Sequence, residues 1–417
     1  MVIFAIIPAT IKRIFMLISP ILPVDIQGNI DIELLKLAEE VCIKSASLLS
    51  GYNPQIISSI KKLLRITNSY YSNRIEAQST HPIEIEKAMK KEFSKDTKEE
   101  QLQKLSLAHI KTQEYVEEYC TSKKEVISRE FIKSIHKEFY SADGMENFLK
   151  ITNESQTIMM QSGEFRKNSV EVANHIAPSF EKIDSIFNYY EKEYQNIYVN
   201  NTKAMKLLSA LSSHHRLVYI HPFLDGNGRV SRLHLDAMLF HMELEGYGLW
   251  NISRGLARDV KGYQKHLSLA DMIRQGATDG RGELSLRGLQ YYLKYMLEIA
   301  LDQITFMGKS LSLPTLNHRM STFVELSQKG MYTIAPLPKQ SEILFSTLLI
   351  KGEIQRGEVE KIISKSKKSA YTLVKTLLDM EYLESDSPRG SLKLKLNTFF
   401  ASKLIPDLIP EPRDIVL

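Results

Sequence analysis

The segment Ile220–Arg232, IHPFLDGNGRVSR, constrains the fold of this chain more than any other part of its sequence. Its glycines tolerate positive φ, and Asp, Gly and Asn in succession favour a tight turn. Apolar residues recur at helical spacing on both sides: Ala204, Leu207, Leu208, Leu211 and Val218 before it, and Val230, Leu233, Ala237 and Phe240 after it. The pattern predicts two packed helices joined by a tight loop, in a part of the chain that is nearly all α.

The loop carries the side chains and backbone groups of a phosphate-transfer site. A helix that begins near Gly228 points unsatisfied backbone amides into the loop, and such amides bind anions. Arg229 and Arg232 lie three residues apart, so both guanidiniums reach over the same anion. Asp225 is a hard oxygen ligand for Mg²⁺, and His221 can accept a proton from an attacking hydroxyl. We therefore expect phosphoryl or nucleotidyl transfer.

The same residue types have ordinary structural roles when they occur singly. A lone His-Pro is usually structural, and Asn-Gly usually marks a turn. Here a histidine, an aspartate, glycines, an asparagine and arginines all fall within Ile220–Arg232 with compatible roles. The cluster as a whole favours a reaction centre.

Two further histidines, His214 and His215, precede His221 and invite a metal-site interpretation. At helical spacing we interpret them as packing or hydrogen-bonding residues, since the transfer chemistry requires no zinc. Cys42 and Cys120 are the only cysteines, which excludes a cysteine-based zinc cluster.

The segment resembles the motif of the Fic (filamentation induced by cAMP) family, His-Pro-Phe-x-Asp-Gly-Asn-Gly-Arg-x-x-Arg, and HPFLDGNGRVSR matches every fixed position. The resemblance covers roughly residues 130–265. It implies a mainly α fold, a Fic helical core with a short β-hairpin flap. It also implies a protein adenylyltransferase that uses Mg²⁺ and transfers AMP from ATP to a Tyr, Ser or Thr hydroxyl of a target protein, releasing pyrophosphate. Removal of AMP by the same site stays open.

By position, the resemblance assigns His221 as the general base and Asp225 as the Mg²⁺ ligand. It places Arg229 and Arg232 on the outer phosphates. The other residues assigned to nucleotide binding are Gly226, Asn227, Gly228, Val230, Ser231 and Tyr263. Tyr263 falls where the family often has an aromatic residue near the nucleotide, and a core or surface tyrosine is equally compatible with the sequence.

The segment 163–178 alternates Val170, Val172 and Ile176 with polar residues, which predicts a short hairpin. The hairpin near Lys167–Ala177 resembles the family flap, which aligns the target segment by strand-like pairing.

An inhibitory element is implied upstream of the motif, in SYYSNRIEAQST. Its Ser72 and Glu76 resemble the family pattern Ser/Thr-x-x-x-Glu-Gly/Asn, in which the glutamate pairs with the second motif arginine, here Arg232. An arginine held by a carboxylate cannot hold the γ-phosphate. Ala77 stands where Gly or Asn is usual, which leaves the strength of inhibition open. We expect self-modification to increase when Glu76 is removed.

The carboxy-terminal part predicts a winged-helix domain. Ser341–Ile350, Glu358–Ser364 and Ser366–Met380 predict three short helices, and two alternating strands follow around a Pro-Arg-Gly turn. Lys361–Lys375 contains five lysines and no acid. Arg389, Lys393 and Lys395 are expected to decorate the wing. Such a surface suits DNA phosphates.

Protein docking or dimerisation is the alternative role of this domain, and a homodimer is compatible with the resemblance. A second functional hypothesis therefore stands beside the enzyme. In it the protein is a DNA-binding regulator that uses the Fic core as a nucleotide sensor.

Residues 2–24 are strongly apolar, but Lys12 and Arg13 interrupt them. Each charge near mid-bilayer costs about 2.5 to 3.5 kcal/mol, so we expect no membrane span, and the pattern of a secretory signal is also missing. We interpret residues 1–27 as an apolar leader outside the folded protein, with Met16 as an alternative start. Interfacial membrane attachment is the minor alternative.

The 417 residues suffice for several domains. We expect a helical amino-terminal region with the inhibitory helix over 28–125, a catalytic core with following helices over 126–310, and the winged-helix domain over 335–405. The composition, 43% hydrophobic and 25% charged, excludes a disordered chain. A net charge of +5 indicates no nucleic-acid or membrane partner by itself. Two cysteines fit a reducing compartment, so the expected location is the cytoplasm.

Overall fold

The computed structural model describes residues 17–122, 125–152, 157–172, 175–199, 201–332 and 334–411. Within them the chain is mainly helical with short antiparallel strands, as the sequence predicts. No helix of these segments combines the length and the hydrophobicity needed to cross a membrane.

The amino-terminal helices are α1 (Ile32–Ser47), α2 (Pro54–Ile75), α3 (Pro82–Met89) and α4 (Thr97–Thr121). The start of α2 follows from its sequence, because the Asn53 side chain accepts a hydrogen bond from the backbone N–H of Gln55 and a proline occupies the first helical position. α2 packs against α4. Its carboxyl end carries Glu76 as the capping residue.

Residues 17–27, which the sequence places in an apolar leader, pack against the helical core. Ile18 and Ile21 are buried, and Arg216 donates hydrogen bonds of 2.8 and 3.2 Å to the carbonyl oxygen of Pro20. Burying an isoleucine side chain stabilises the folded protein by about 1.5–3 kcal/mol, which explains why residues 17–27 pack against the core. Residues 1–16, including the alternative start at Met16, lie outside the described residues.

The central helices are α5 (Arg129–Tyr140), α6 (Ile183–Val199), α7 (Lys203–Ile220), α8 (Asn227–His241), α9 (Ile252–Arg258), α10 (Val260–Ala270), α11 (Leu286–Leu311) and α12 (Leu313–Gln328). α7 and α8 pack against each other, and α1, α4, α5 and α6 surround this pair. The predicted apolar stripes face inward, with Leu208 and Leu233 fully buried. The loop between α7 and α8 is thereby fixed at both ends by a packed core.

Two small hairpins lie between α5 and α6. β1 (Lys150–Thr152) pairs antiparallel with β2 (Thr157–Met159). β3 (Glu171–Val172) pairs with β4 (His175–Ile176), so that Glu171 faces Ile176 and Val172 faces His175. The second hairpin confirms the predicted hairpin of the flap segment.

A carboxy-terminal module, residues 341–411, packs on α2. Its elements are α13 (Ser341–Lys351), β5 (Glu353–Ile354), α14 (Val359–Ile363), α15 (Lys367–Asp379), β6 (Leu383–Glu384), β7 (Leu392–Leu394) and α16 (Thr398–Leu404). The strands form one antiparallel sheet in the order β5-β7-β6. The three predicted helices and the hairpin are present, and the two-residue strand β5 is an addition. The winged-helix assignment stays a prediction.

Candidate active site

The loop after α7 is closed by its own backbone and by Asn227. His221 ends α7 in the left-handed conformation, φ 49°, and Gly226 takes φ 78° before α8 begins. The side chain of Asn227 accepts a hydrogen bond from the backbone N–H of Phe223 and donates one to its carbonyl oxygen, both at 2.9 Å. Both polar atoms of the Asn227 side chain are thus engaged in shaping the loop.

The ring of His221 is largely enclosed. Burial lowers its pKa to about 4, while a hydrogen bond to the backbone of Val218 acts in the opposite direction. The ring is therefore neutral near pH 7, the form that accepts a proton. The carbonyl oxygen of His221 accepts a 2.7 Å hydrogen bond from Nε of the buried Arg166.

Asp225 is partly exposed at the edge of the loop. Its Oδ2 accepts a 2.8 Å hydrogen bond from the hydroxyl of Tyr140. That hydroxyl also accepts a 3.3 Å hydrogen bond from Nη1 of Arg229. A single accessible carboxylate suits Mg²⁺ that is also held by substrate phosphates. The described residues contain no group of three metal-binding side chains.

The first turn of α8 is the predicted anion site, and the Glu76 carboxylate lies beside it. A Cβ added to Gly228 would lie 2.3 Å from Oε1 of Glu76 and 3.2 Å from Nη1 of Arg232. A side chain at this position would displace the Glu76 carboxylate, so glycine allows the close approach. The same carboxylate oxygen accepts a 2.7 Å hydrogen bond from Nη2 of Arg232. Glu76 therefore lies beside Gly228, at the start of the helix whose amides the sequence assigns to phosphates.

The predicted pairing of Glu76 with Arg232 is present, and Ser72 contributes to it. Arg232 donates from Nε to the Ser72 hydroxyl at 3.0 Å and from Nη2 to the Ser72 carbonyl oxygen at 2.9 Å. Burial alone would raise the pKa of Glu76, but Arg232 and Arg229 outweigh it, so the pKa lies below its usual value. The glutamate is held as a carboxylate.

Arg229 is also occupied by the segment that follows α2. Its Nε donates to Oδ1 of Asn73 at 3.1 Å, and its Nη2 donates to Oε1 of Gln78. Both motif arginines are therefore engaged by residues 72–78. Asn73, Gln78, Tyr140 and Arg166 were not predicted as site residues, because nothing in their own sequence surroundings links them to the motif.

Two predicted nucleotide-binding residues have their polar groups engaged within the protein. The backbone N–H of Val230 donates to the carbonyl oxygen of Gly226 at 2.9 Å. The Ser231 hydroxyl donates to the Gly228 carbonyl at 2.9 Å. The free amides of the predicted anion site accordingly end at Arg229, since the regular hydrogen bonds of the helix begin with the next amide.

Tyr263 lies in the core behind the site. It is 3% exposed, and its hydroxyl lies 2.7 Å from Nε2 of His214, whose Nδ1 faces the Ser231 carbonyl at 3.0 Å. A carbonyl only accepts, so Nδ1 of His214 carries the proton and Nε2 accepts from the tyrosine. His214 is thus a hydrogen-bonding residue, as interpreted from the sequence.

Comparison with known proteins assigns part of this chain to a family. A family model described as Fic/DOC family matches residues 126–239. Proteins named protein adenylyltransferase Fic from Drosophila erecta and Aedes aegypti are each 35% identical to this chain, over 80 and 83 residues. The matched segment is 19% of this chain and spans only 16% of the length of either relative.

One solved structure, a Fic domain containing signaling protein from Bacteroides thetaiotaomicron VPI-5482, has a TM-score of 0.51 at 18% identity and covers 66% of this chain and 96% of that chain. This likeness concerns the fold. Together with the motif and the family match, it identifies residues 126–239 of this chain as a domain of the Fic/DOC family.

Proposed function

We propose that this protein is an autoinhibited protein adenylyltransferase, which transfers AMP from ATP to a Tyr, Ser or Thr hydroxyl of a target protein. One observation carries the proposal: the Glu76 carboxylate lies against Gly228 and pairs with Arg232 at 2.7 Å. The site thus already holds an anion where the phosphates of ATP are expected. The two relatives that match a segment of this chain are named for this activity.

In the proposed reaction, the target hydroxyl oxygen bonds to the α-phosphorus of ATP. The bond from that phosphorus to the bridging oxygen breaks, and pyrophosphate leaves. His221, neutral near pH 7 because burial lowers its pKa to about 4, takes the hydroxyl proton. Asp225 would hold Mg²⁺, which neutralises phosphate charge. Arg229 and Arg232 orient the outer phosphates once they are released from residues 72–78.

The central test compares labelling by ATP that carries a radioactive α-phosphate. Glu76→Gly should increase self-modification, and His221→Ala in the same background should abolish it. His318→Ala is the matched control, because His318 is exposed on α12 away from the loop. Equal labelling of wild type and Glu76→Gly would contradict autoinhibition. Labelling that survives His221→Ala would contradict the catalytic assignment.

We include removal of AMP by the same site in the proposal. Glu76 is held ionised beside the phosphate position, so it can orient a water molecule when it is engaged. Incubating a purified AMP-modified protein with wild type and with Glu76→Gln tests this. Loss of AMP with wild type alone is the expected result, and equal loss with both would contradict it.

A second candidate function is DNA binding by the carboxy-terminal module, with the Fic core as a nucleotide sensor. The observation in its favour is a set of exposed residues on α14, on α15 and on the turn between them: Lys361, Lys365, Lys367, Lys368, Tyr371 and Lys375. The wing lysines support it less, since Lys393 pairs with Asp386 and Lys395 with Glu381. Affinity for duplex DNA that falls steeply with salt would support this candidate. A salt-independent affinity would contradict it.

We place the protein in the cytoplasm, as a homodimer, as part of the same proposal. Cys42 and Cys120 are both free thiols, which fits a reducing compartment. The dimer rests on the family resemblance, and sedimentation of the full chain tests it.

A further inference from the structure

The flap hairpin is tied to the end of α7 at its base. The buried Arg166 donates from Nη1 to the Asn168 carbonyl oxygen at 2.7 Å and from Nη2 to that of Pro178. From Nε it donates to the carbonyl of His221 at 2.7 Å. One guanidinium therefore joins both ends of the flap to the backbone of the candidate base.

A second anchor holds the returning strand β4. Nε2 of His175 lies 2.8 Å from the carbonyl oxygen of Tyr219, and Nδ1 lies 3.4 Å from Oδ2 of Asp271. A carbonyl and a carboxylate only accept hydrogen bonds, and a neutral imidazole has one N–H. The imidazolium cation is therefore the form of His175 that can donate to both groups.

The other neighbours of Asp271 agree with a charged carboxylate. Nη1 of Arg216 donates to Nδ1 of His215 at 2.8 Å, and an arginine has no acceptor. His215 therefore carries its proton on Nε2, which lies 3.1 Å from Oδ1 of Asp271. Asp271 thus faces one neutral donor and one cation, and the charge on His175 balances its own.

We propose that His175 is a positively charged positioning residue, whose ion pair with Asp271 fixes β4 for pairing with the target segment and sets an alkaline limit for transfer. This rests on the proposed adenylyl transfer. The neighbouring Ile176 is 74% exposed, so β4 presents an apolar side chain to a partner strand. Strand addition at such an edge depends on the position of the backbone.

The sign of the pH dependence follows from the groups around His175. Burial lowers its pKa, but Asp271 and the Tyr219 carbonyl outweigh burial and the opposing Arg166, so the pKa lies above 6.5. His221 and the ring of Tyr219 also lie near His175. The ion pair is present at low pH and is lost as pH rises through the raised pKa. ATP binding should persist there, because arginines do not titrate in this range.

The charge is tested directly by NMR of the full chain with ¹⁵N-labelled histidine. At pH 6.5 His175 should be protonated on both nitrogens, and Asp271→Asn should lower its pKa by about 1 unit or more. A single-proton tautomer at pH 6.5 would overturn the proposal. This measurement requires no enzymatic activity, so it stays decisive even if the protein transfers no AMP.

The positioning role is tested in the Glu76→Gly protein, by self-modification at saturating labelled ATP between pH 6 and 9. His175→Gln should slow labelling by about tenfold at pH 7, a cost typical of misplaced reactants, with an unchanged Kd for ATP. His175→Lys should restore labelling and remove the alkaline decline, and the exposed control His318→Gln should change neither. An unchanged rate and profile in His175→Gln would overturn the proposal. Absence of labelling in Glu76→Gly itself would instead overturn the proposed function.

Discussion

Asn73 accepts a 3.1 Å hydrogen bond from Nε of Arg229. Its neighbour in the chain, Ser72, accepts a hydrogen bond from Nε of Arg232. Gln78 engages the other end of Arg229. Residues 72–78 therefore engage both motif arginines, whereas the sequence pattern points to Arg232 alone, and the proposed inhibition extends to Arg229.

The first prediction is that Glu76→Gly removes only part of the competition with ATP, so that ATP affinity rises but does not reach its full value. Adding Gln78→Ala should raise ATP affinity about fivefold further, since a hydrogen bond to a neutral partner contributes roughly 1 kcal/mol. Calorimetry of ATP binding to the single and double variants measures this. Identical affinities would show that Gln78 does not compete with the nucleotide.

The second prediction concerns Ala77, which takes φ 55°. The N–H of Gln78 bonds the Asn73 carbonyl at 3.0 Å and that of Ala77 bonds the Arg74 carbonyl at 3.0 Å, the pattern in which glycine is preferred. Left-handed conformation costs a non-glycine residue roughly 1–2 kcal/mol, partly offset by the chain entropy of glycine. Ala77→Gly should therefore strengthen the helix end and slow self-modification about twofold.

Lys91 offers a matched control for this substitution. It also follows a helix, with φ 66°, and the N–H of Glu92 bonds the Lys87 carbonyl at 3.0 Å. Like Ala77→Gly, Lys91→Gly should strengthen its helix end and thereby raise the melting temperature. Unlike Ala77→Gly, it should leave self-modification unchanged. Equal slowing by both glycines would refute a local effect at Glu76.

The third prediction is that Asn227→Ala destabilises the protein. It leaves the buried N–H and C=O of Phe223 without their partners, and each unsatisfied group costs about 1–3 kcal/mol. We expect the free energy of unfolding in urea to fall by about 2–4 kcal/mol. Asn201→Ala, at an exposed asparagine, should change it by less than about 0.5 kcal/mol. Similar losses in both variants would contradict a structural role specific to the loop.

The fourth prediction concerns Asp236 on α8, one turn beyond Arg232. Burial raises its pKa to about 6, although Tyr247 and Asn68 donate hydrogen bonds to it. Ionisation of Asp236 is therefore unfavourable in the folded protein, and the free energy of unfolding falls as pH rises from about 4 through 6. Asp236→Asn should gain on the order of 3 kcal/mol at pH 7.5 and much less at pH 4. Urea unfolding at both values checks this, and an equal gain at both would contradict the raised pKa.

The fold and the core of the site are predictable where the information is local. Apolar periodicity predicts α7 and α8, and the motif between them fixes the loop. The pair of Glu76 with Arg232 is predictable only through a resemblance, because no local pattern links positions so far apart in the chain.

Contacts between distant segments escape such prediction. Tyr140 bridges Asp225 and Arg229, yet it lies on the regular helix α5 with no distinguishing neighbours. The ion pair of His175 with Asp271 joins a two-residue strand to the end of α10. Strands as short as β5 carry too few residues for an alternating pattern, and segment 17–27 looks like a leader until Arg216 is seen to bind Pro20.

The carboxy-terminal module accepts hydrogen bonds from α2 at the start of the helix, within it and near its end. Asn53 donates to the Lys351 carbonyl at 2.8 Å, Ser59 to that of Leu394 at 3.0 Å, and Tyr71 to that of Leu408 at 2.9 Å. Sliding of the helix that carries Glu76 would therefore break all three hydrogen bonds unless the module moved with it. Glu76 can leave the motif without breaking them only if the turn beyond Tyr71 unwinds or the module moves together with the helix.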